Sequence, residues 1–492
     1  MRNISRILLL NLPDPPGMRV HRDFSGGFGT AESRDGGGAD KMLVFPVYIP
    51  YVLSSLKRKN YDVDFIDGQA QGLDDKNTLR KVKKADPDII ISMVSLPSLY
   101  SDMSLLDKIK EELVNTRIVA VGTSCNALGD EILSKSNIDY LIRGNYPFYS
   151  RQVTELVNSI EERRDISEVG GILYKKNGDV IEPKLNGYEP DLDDIDFDVY
   201  RMLKIKEYEL YLNDREGRDW NYFPIIHGVG CPFSCIYCPY PQGFGKKIIY
   251  KSTEKLMDEI RFLSSEYAIE AFLFRDQIFT LNRKRVRKIC DELRGMNPDI
   301  RWLFETRVDS ITPGMIEEVA RAGCNRIHYG VETGDPILLK TVGKPGVSLQ
   351  LIRDIFAHTR DNGIFTMAHA IIGLPGETKE TLENTYRFIS SLSPDAVSWN
   401  LATPYPGTEL FNIAKEKNLI IDFDWSKYTT ENTVMRTEKL DACDLQNARD
   451  KMSRDFRIKK IKETILESTH NRQSREFLFR RIAHHMKIIG HR

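Results

Sequence analysis

Three cysteines within eight residues, Cys231, Cys235 and Cys238, stand in the spacing CxxxCxxC at the end of the apolar run Phe223-Pro-Ile-Ile-His-Gly-Val-Gly230. Three thiols on one loop can converge on a single metal centre. They fall one short of the four-thiolate cage of a ferredoxin or a closed structural zinc site. No fourth cysteine or suitably spaced histidine follows, and Cys290 and Cys324 stand far off in helix-like contexts. A 4Fe-4S cluster on three thiolates keeps one iron open for an outside ligand, a functional vacancy. The competing readings are a zinc ion completed by a remote ligand, or thiols that are merely buried. Cys125, Cys290, Cys324 and Cys443 are expected as small core residues.

The rest of the chain has room for a large fold around that loop. Its 492 residues allow three domains at about 150 residues each. With 41% hydrophobic and 29% charged residues, it has the balance of a soluble globular protein. A formal net charge of -1 gives no electrostatic reason to expect nucleic acid as a partner. No apolar run approaches the ~20 residues of a membrane span, and no secretory signal is evident. Seven cysteines make a disulfide framework a poor expectation and the cytoplasm the default location.

In the first third, the short runs at 7–12, 63–66, 88–94, 118–121 and 140–142 are rich in Ile, Leu and Val. Amphipathic stretches at 48–59, 99–112 and 126–135 alternate with them. That rhythm predicts βαβ units around a parallel sheet buried on both faces, with ligands at the carboxyl ends of its strands. Residues 13–42 form a long glycine-rich connection, expected to be functional or mobile. Between about 147 and 200 lie a helical pattern near 152–162, an Asn177-Gly178 hairpin signal and a solvated acidic run at 191–198.

Beyond the cysteines the strand–helix alternation resumes. Runs at 223–229, 269–274, 301–305, 326–331, 364–372 and 395–401 read as six strands, which predicts a partial barrel. Barrels of this kind place their chemistry at the C-terminal strand ends. The residues there are polar: Asp276, Glu305, Arg307, Glu332 and His369. Ion pairs at the rim, a helix cap for Asp276 and a satisfied core role for His369 are their structural alternatives.

The CxxxCxxC loop, with aromatic Tyr237 before its third cysteine, resembles the hallmark of the radical S-adenosylmethionine (SAM) family. Gly330-Val-Glu332-Thr333-Gly334 and Ile372-Gly373-Leu374-Pro375-Gly376-Glu377-Thr378 look like that family's later strand signatures. The resemblance implies a 4Fe-4S cluster on Cys231, Cys235 and Cys238, and SAM bound at the open iron. Arg307 and Glu332 would make polar contacts with SAM, Tyr237 a backbone contact near the adenine, and Ile372 and Gly373 packing against that base. Asp276 and Glu305 belong to the same set of strand-end contacts.

In the first third, the strand ends Asp88–Leu99 and Ala120–Ser124, then Arg143–Pro147, resemble the cobalamin-binding fold. Ser92, Gly122, Thr123, Ser124, Gly144 and Asn145 would line the pocket for the nucleotide tail. Members that give cobalt a histidine carry Asp-x-His-x-x-Gly after the first strand. This chain has no such motif; Asp67-Gly-Gln-Ala-Gln-Gly72 mimics it after the second strand, with glutamine.

Taken together, the order of parts resembles the cobalamin-dependent radical SAM enzymes. The expected architecture is α/β. A doubly wound, Rossmann-like cobalamin domain spans 1–146, and a linker with a helix and hairpin spans 147–215. A partial (β/α)6 TIM-like barrel follows at 216–410, then a mostly helical C-terminal region at 411–492. The implied reaction begins with a 5′-deoxyadenosyl radical taking hydrogen from an unactivated carbon, followed by methyl transfer from methylcobalamin, so a C-methyltransferase. Cyclisation or oxidative C–C bond formation without methyl transfer, on a lipid or tetrapyrrole, is the alternative. Such chemistry is anaerobic and implies a small-molecule or lipid substrate and a reductase, flavodoxin or ferredoxin as electron donor. The basic helical patterns at 454–462 and 475–487 suit either a solvated face or peripheral contact with a membrane. A metal-sensing or light-sensing regulator and a zinc enzyme are the remaining classes. Nothing in the chain resembles a DNA-reading helix-turn-helix.

Overall fold

The structure, a computed structural model, describes residues 6–33, 42–144, 149–182, 191–296 and 299–469. Its first sheet has seven strands: β1 (Arg6–Asn11), β2 (Asp62–Asp67), β3 (Ile89–Met93), β4 (Arg117–Val121), β5 (Tyr140–Ile142), β6 (Ile172–Lys176) and β7 (Asp179–Ile181). Their order is β7-β6-β5-β4-β3-β1-β2, parallel from β2 through β5. The order reverses between β1 and β3, the switch point where such sheets receive ligands. Continuous Ile, Leu and Val runs mark these strands because helices cover both faces. The helices are Ile49–Arg58, Asp75–Ala85, Leu99–Glu112, Thr123–Ser134 and Tyr149–Glu161.

Three features depart from the sequence expectation. The helix Asp75–Ala85 went unpredicted because only Thr78 and Val82 are buried, which leaves no apolar period to read. An N-cap holds its start: the Asp74 side chain accepts the Asn77 N–H at 2.7 Å. The connection after β1 is structured as far as it is described, to residue 33. Met18–His21 pairs antiparallel with Thr30–Ser33 around a turn at Ser25–Gly27. Thr123 Oγ1 donates to Gly26 O at 2.8 Å, which ties that turn to the end of β4. Lastly, the Asn177-Gly178 hairpin forms, with φ of 55° and 94° at its two turn residues. It does not bridge domains; β6 and β7 extend the first sheet past residue 146 by antiparallel pairing onto β5.

The second sheet contains β8 (Glu209–Asn213), β9 (Asp219–Ile225), β10 (Ala271–Phe274), β11 (Arg301–Arg307), β12 (Cys324–Glu332), β13 (Phe365–Ile372) and β14 (Ala396–Leu401). Strands β9 to β14 are parallel neighbours in sequence order, the six expected strands of a partial barrel. Antiparallel β8 and the short Met42–Leu43 continue the sheet at one edge. The run 223–229 is not one strand: β9 ends at Ile225, and Gly228–Val229 pairs instead with Ile249–Tyr250.

One apolar cluster runs from the first sheet into the second. Phe45 anchors it, with ring centres 4.7 Å from Phe223 and 5.0 Å from Tyr208. After β14, Trp425 and Tyr428 join the core of the first domain. The long helix Ala442–Thr469 lies along β14, where Arg449 Nε donates to Trp399 O at 3.2 Å. That helix takes in the basic stretch at 454–462; the one at 475–487 lies outside the described residues. Among the described residues no helix is long and apolar enough to cross a membrane.

Candidate active site

The cysteine loop leaves the barrel at the C-terminal end of β9. Gly230 turns it with φ of +96°, and a Cβ there would lie 2.1 Å from Lys247 O. Only glycine passes that point. Cross-links then hold the loop: Cys231 N–H to Gly245 O at 3.1 Å, Ile236 N–H to Val342 O at 3.4 Å and Leu410 N–H to Ile236 O at 2.9 Å. None of the seven cysteines is in a disulfide. Burial pushes the thiols of Cys231, Cys235 and Cys238 up; neighbouring cysteines of the loop add to this at Cys231 and Cys238, while Lys344 and Arg307 oppose it at Cys235.

Each sulfur already has a donor aimed at it. The Phe233 N–H bonds to Cys231 and the Tyr240 N–H to Cys238. Arg307 adds a donor to Cys235 Sγ at 3.4 Å. Its own guanidinium is fixed by both Asp309 oxygens, at 2.9 and 2.7 Å, and lies 4.0 Å from the centre of the Phe233 ring. Donors of this kind stabilise metal-bound thiolates, and metal binding removes the proton that burial would otherwise retain. The three residues therefore fit an iron–sulfur cluster.

Glu332 closes the same end of the barrel. The pairing of β12 with β13 shifts register between Gly330 and Glu332, and Glu332 adopts φ of +67°. For a residue other than glycine such a backbone costs on the order of 1–3 kcal/mol and collects at functional sites. Lys344 Nζ holds it there, 2.6 Å from the carboxylate and 2.8 Å from Gly330 O. Tyr237 donates to the same carboxylate, and burial together with Glu332 pushes its phenol well up. The fold thus gathers Cys235, Tyr237, Arg307 and Glu332, and it adds Asp309 and Lys344. Sequence reasoning had passed over both, although Lys344 directly follows a glycine with φ of +88°.

The other strand-end residues divide among distinct surroundings. Asp276 receives the His227 ring at 2.7 Å, while Arg285 Nε donates to the far ring nitrogen at 3.3 Å. Asn282, not Asp276, caps the following helix by accepting the Arg285 N–H. The Gly373 and Leu374 N–H groups both donate to buried Glu377, whose carboxyl burial pushes up to about 8. Ile372 packs into the main core, whereas its neighbour Ile371 joins a smaller cluster against which Ile236 and Tyr237 pack. Glu305 lies near His328 and His369. Burial alone would raise its carboxyl, yet these imidazoles and Arg275 bring it down to about 2.

In the first domain, Ser92, Gly122, Thr123, Ser124 and Gly144 all lie at the C-terminal ends of β3, β4 and β5; Asn145 lies outside the described residues. Gly122 needs its φ of +127°, because a Cβ would meet Val94 O at 2.7 Å. Ser92 and Thr123 spend their hydroxyls on Leu10 O and Gly26 O. Gly144 exchanges two hydrogen bonds with Asn126. The Ser95 and Ser124 hydroxyls are wholly buried and lack a partner among the described residues. Buried orphan hydroxyls at these strand ends suit a polar ligand threaded between them. The loop after β2 offers no imidazole: Asp67 accepts from Tyr208 and Asn11, and Gln69 donates to Asp14 and Val20 O.

Comparison with known proteins bears on the family and the fold. The Radical SAM superfamily domain matches residues 225–389. A protein of Pyrococcus horikoshii named an uncharacterized methyltransferase is 30% identical over 393 residues, 80% of this chain and 83% of that one. This chain belongs to the radical SAM superfamily. A further relative, the anaerobic magnesium-protoporphyrin IX monomethyl ester cyclase of Cereibacter sphaeroides, is 27% identical over 84% of this chain and 67% of the cyclase. Among solved structures, the radical SAM methyltransferase TsrM of Kitasatospora setae, with cobalamin and a [4Fe-4S] cluster bound, shares the fold. Its TM-score is 0.64 at 17% identity, covering 84% of this chain and 75% of TsrM. The cobalamin-dependent radical enzyme OxsB aligns with a TM-score of 0.70 at 15% identity, over 99% of this chain and 72% of OxsB. The architecture, a doubly wound domain ahead of the barrel, is that of the cobalamin-dependent radical SAM enzymes.

Proposed function

We propose that this chain is a cobalamin-dependent radical SAM methyltransferase acting on an unactivated carbon of a small-molecule or lipid substrate. When bound, a 4Fe-4S cluster, SAM and methylcobalamin would supply reductive formation of a 5′-deoxyadenosyl radical and then a methyl group for the carbon that loses hydrogen. The chain's own residues provide position and shelter. Cys231, Cys235 and Cys238 hold the cluster, and the donors on their sulfurs carry this reading more than any other observation. Arg307 and Glu332 face the cluster loop from two strands and take the polar end of SAM, with Tyr237 and Lys344 fixing Glu332. Gly373, turned by Glu377, presents backbone to the adenine beside Ile372. Asp276, oriented by His227, stands at the next strand end. Ser92, Gly122, Thr123, Ser124, Gly144 and Asn145 border the cobalamin tail, and no histidine from the Asp67 loop reaches cobalt. A reductase, flavodoxin or ferredoxin delivers the electron.

A second reading, ring closure or oxidative C–C bond formation without methyl transfer, draws support from the cyclase relative that covers 84% of this chain. Anaerobic reconstitution with cobalamin, reductant and SAM tests both readings by mass spectrometry. Methyl transfer yields 5′-deoxyadenosine together with S-adenosylhomocysteine; deoxyadenosine alone supports the second. If neither product forms, or if Cys235→Ala keeps a full cluster and undiminished deoxyadenosine formation, the radical reading fails.

A further inference from the structure

Apart from the cysteine loop, the barrel brings together Glu305, His328 and His369, with one ligand atom from each lying within 4.8 Å of the others. They come from adjacent strands: Glu305 on β11 faces His328 on β12, and His369 on β13 faces Gly330. Glu305 stands two residues before Arg307, hence on the face of β11 that meets the cysteine loop. Its side chain keeps 35% of its surface open, although protein surrounds it. The carboxylate therefore borders a space inside the barrel.

Two imidazoles and a carboxylate suggest a divalent cation first. The contact behind His328 argues against one. Arg326 Nε donates to His328 Nε2 at 2.8 Å, so the ring proton sits on Nδ1, which points towards Glu305 Oε1 3.7 Å away. A metal on Nδ1 would force that proton onto Nε2, directly against the Arg326 N–H. Metal-bound histidines are backed by acceptors, not donors. Arg326 has no easy retreat, since it also donates to Asn213 O at 2.9 Å and packs 4.0 Å from the centre of the Phe365 ring.

The space consequently offers one fixed N–H from His328, one acceptor from Glu305, and His369 Nε2, which is buried without a partner among the described residues. Burial holds the His328 imidazole down at about 4, so it is uncharged at neutral pH. The Glu305 charge faces Arg275. A hydroxyl group matches this set: its oxygen accepts from His328 while its proton goes to Glu305 or His369. An ammonium has no lone pair for His328, and a carboxylate would confront Glu305.

We propose that Glu305, His328 and His369 form a subsite that seats an uncharged hydroxyl group of the substrate. It rests on the radical reading only in calling that ligand the substrate. The test uses the reconstituted full chain and three probes, cyclohexanol, cyclohexylammonium and cyclohexanecarboxylate, followed by saturation-transfer NMR titration. Cyclohexanol should bind most tightly, and Glu305→Leu and His369→Phe should each weaken it by about tenfold, the usual loss for a hydrogen bond to a charged or buried partner. Should either variant lose its fold by circular dichroism, the other decides. Equal cyclohexanol binding by wild type and variant, preference for either charged probe, or no binding at all would overturn the proposal. So would stoichiometric zinc uptake that Glu305→Leu abolishes. Wild-type protein that binds cyclohexanol but makes no deoxyadenosine would instead sink the proposed function and leave the subsite standing.

Discussion

At the scale of single residues, the candidate site is built from charges that burial would forbid without their partners. Lys344 and Glu332 keep only 3% and 7% of their side chains open. Removing one member of such a pair strands the other, so Lys344→Met should cost about 3 kcal/mol in guanidinium unfolding. It should also release the Glu332 backbone and weaken SAM binding, readable by equilibrium dialysis. Glu377 makes a different prediction. Its ordinary value of 4.5 rises to about 8 in the fold, so the folded chain holds a proton that the unfolded chain gives up between those values. The contribution is complete below about 4.5 and fades as pH rises through about 8. Wild type should therefore lose thermal stability relative to Glu377→Gln across that window, and parallel melting curves would contradict it. His227 was silent in the sequence because its partners are distant along it. Arg285 lies 58 positions beyond His227, and only the barrel brings the two to 3.3 Å.

At the scale of elements, two glycines with left-handed backbones separate a local cost from a functional one. Gly178, in the β6–β7 turn, has φ of +94° and open space where a Cβ would go. Gly178→Ala should cost about 1 kcal/mol of stability and leave cluster loading untouched. Gly230 also faces the Lys247 carbonyl, a backbone atom that cannot swing aside. Gly230→Ala should keep its far-UV circular dichroism yet load far less iron, because the loop that carries Cys231 must move. Normal iron content in that variant would contradict the geometry. Parallel strands were legible at this scale because burial on both faces writes them as unbroken apolar runs. The hairpin at 18–33 was not, since its residues pack against the strand ends of another layer rather than following their own alternation.

For the whole molecule, the shared core makes the two domains one cooperative body. Phe45 is 1% exposed and packs on Tyr208 and Phe223, within the apolar cluster that also holds Ile7 and Ile91 of the first sheet. Phe45→Ala should remove about 3–5 kcal/mol and split a single calorimetric transition into two, whereas an unsplit transition would argue that the domains are already coupled elsewhere. The same packing presses the turn at Ser25–Gly27 against the helix after the cysteine loop, where a Cβ on Gly26 would lie 2.7 Å from the Tyr240 backbone. This places the strand ends of the first sheet beside the cysteine loop, an arrangement no local pattern encodes. What the amino-acid order determined alone was the supply of ligand atoms, three thiols at a spacing that converges on one centre, and the alternation of buried strands with helices, because both are consequences of short-range geometry. The tertiary structure decided that Arg307 reaches Cys235, that His227 is held between Asp276 and Arg285, and which charges neutralise one another. Those depend on distances between segments far apart in the chain, where packing of the whole, and not the period of any part, sets the electrostatics.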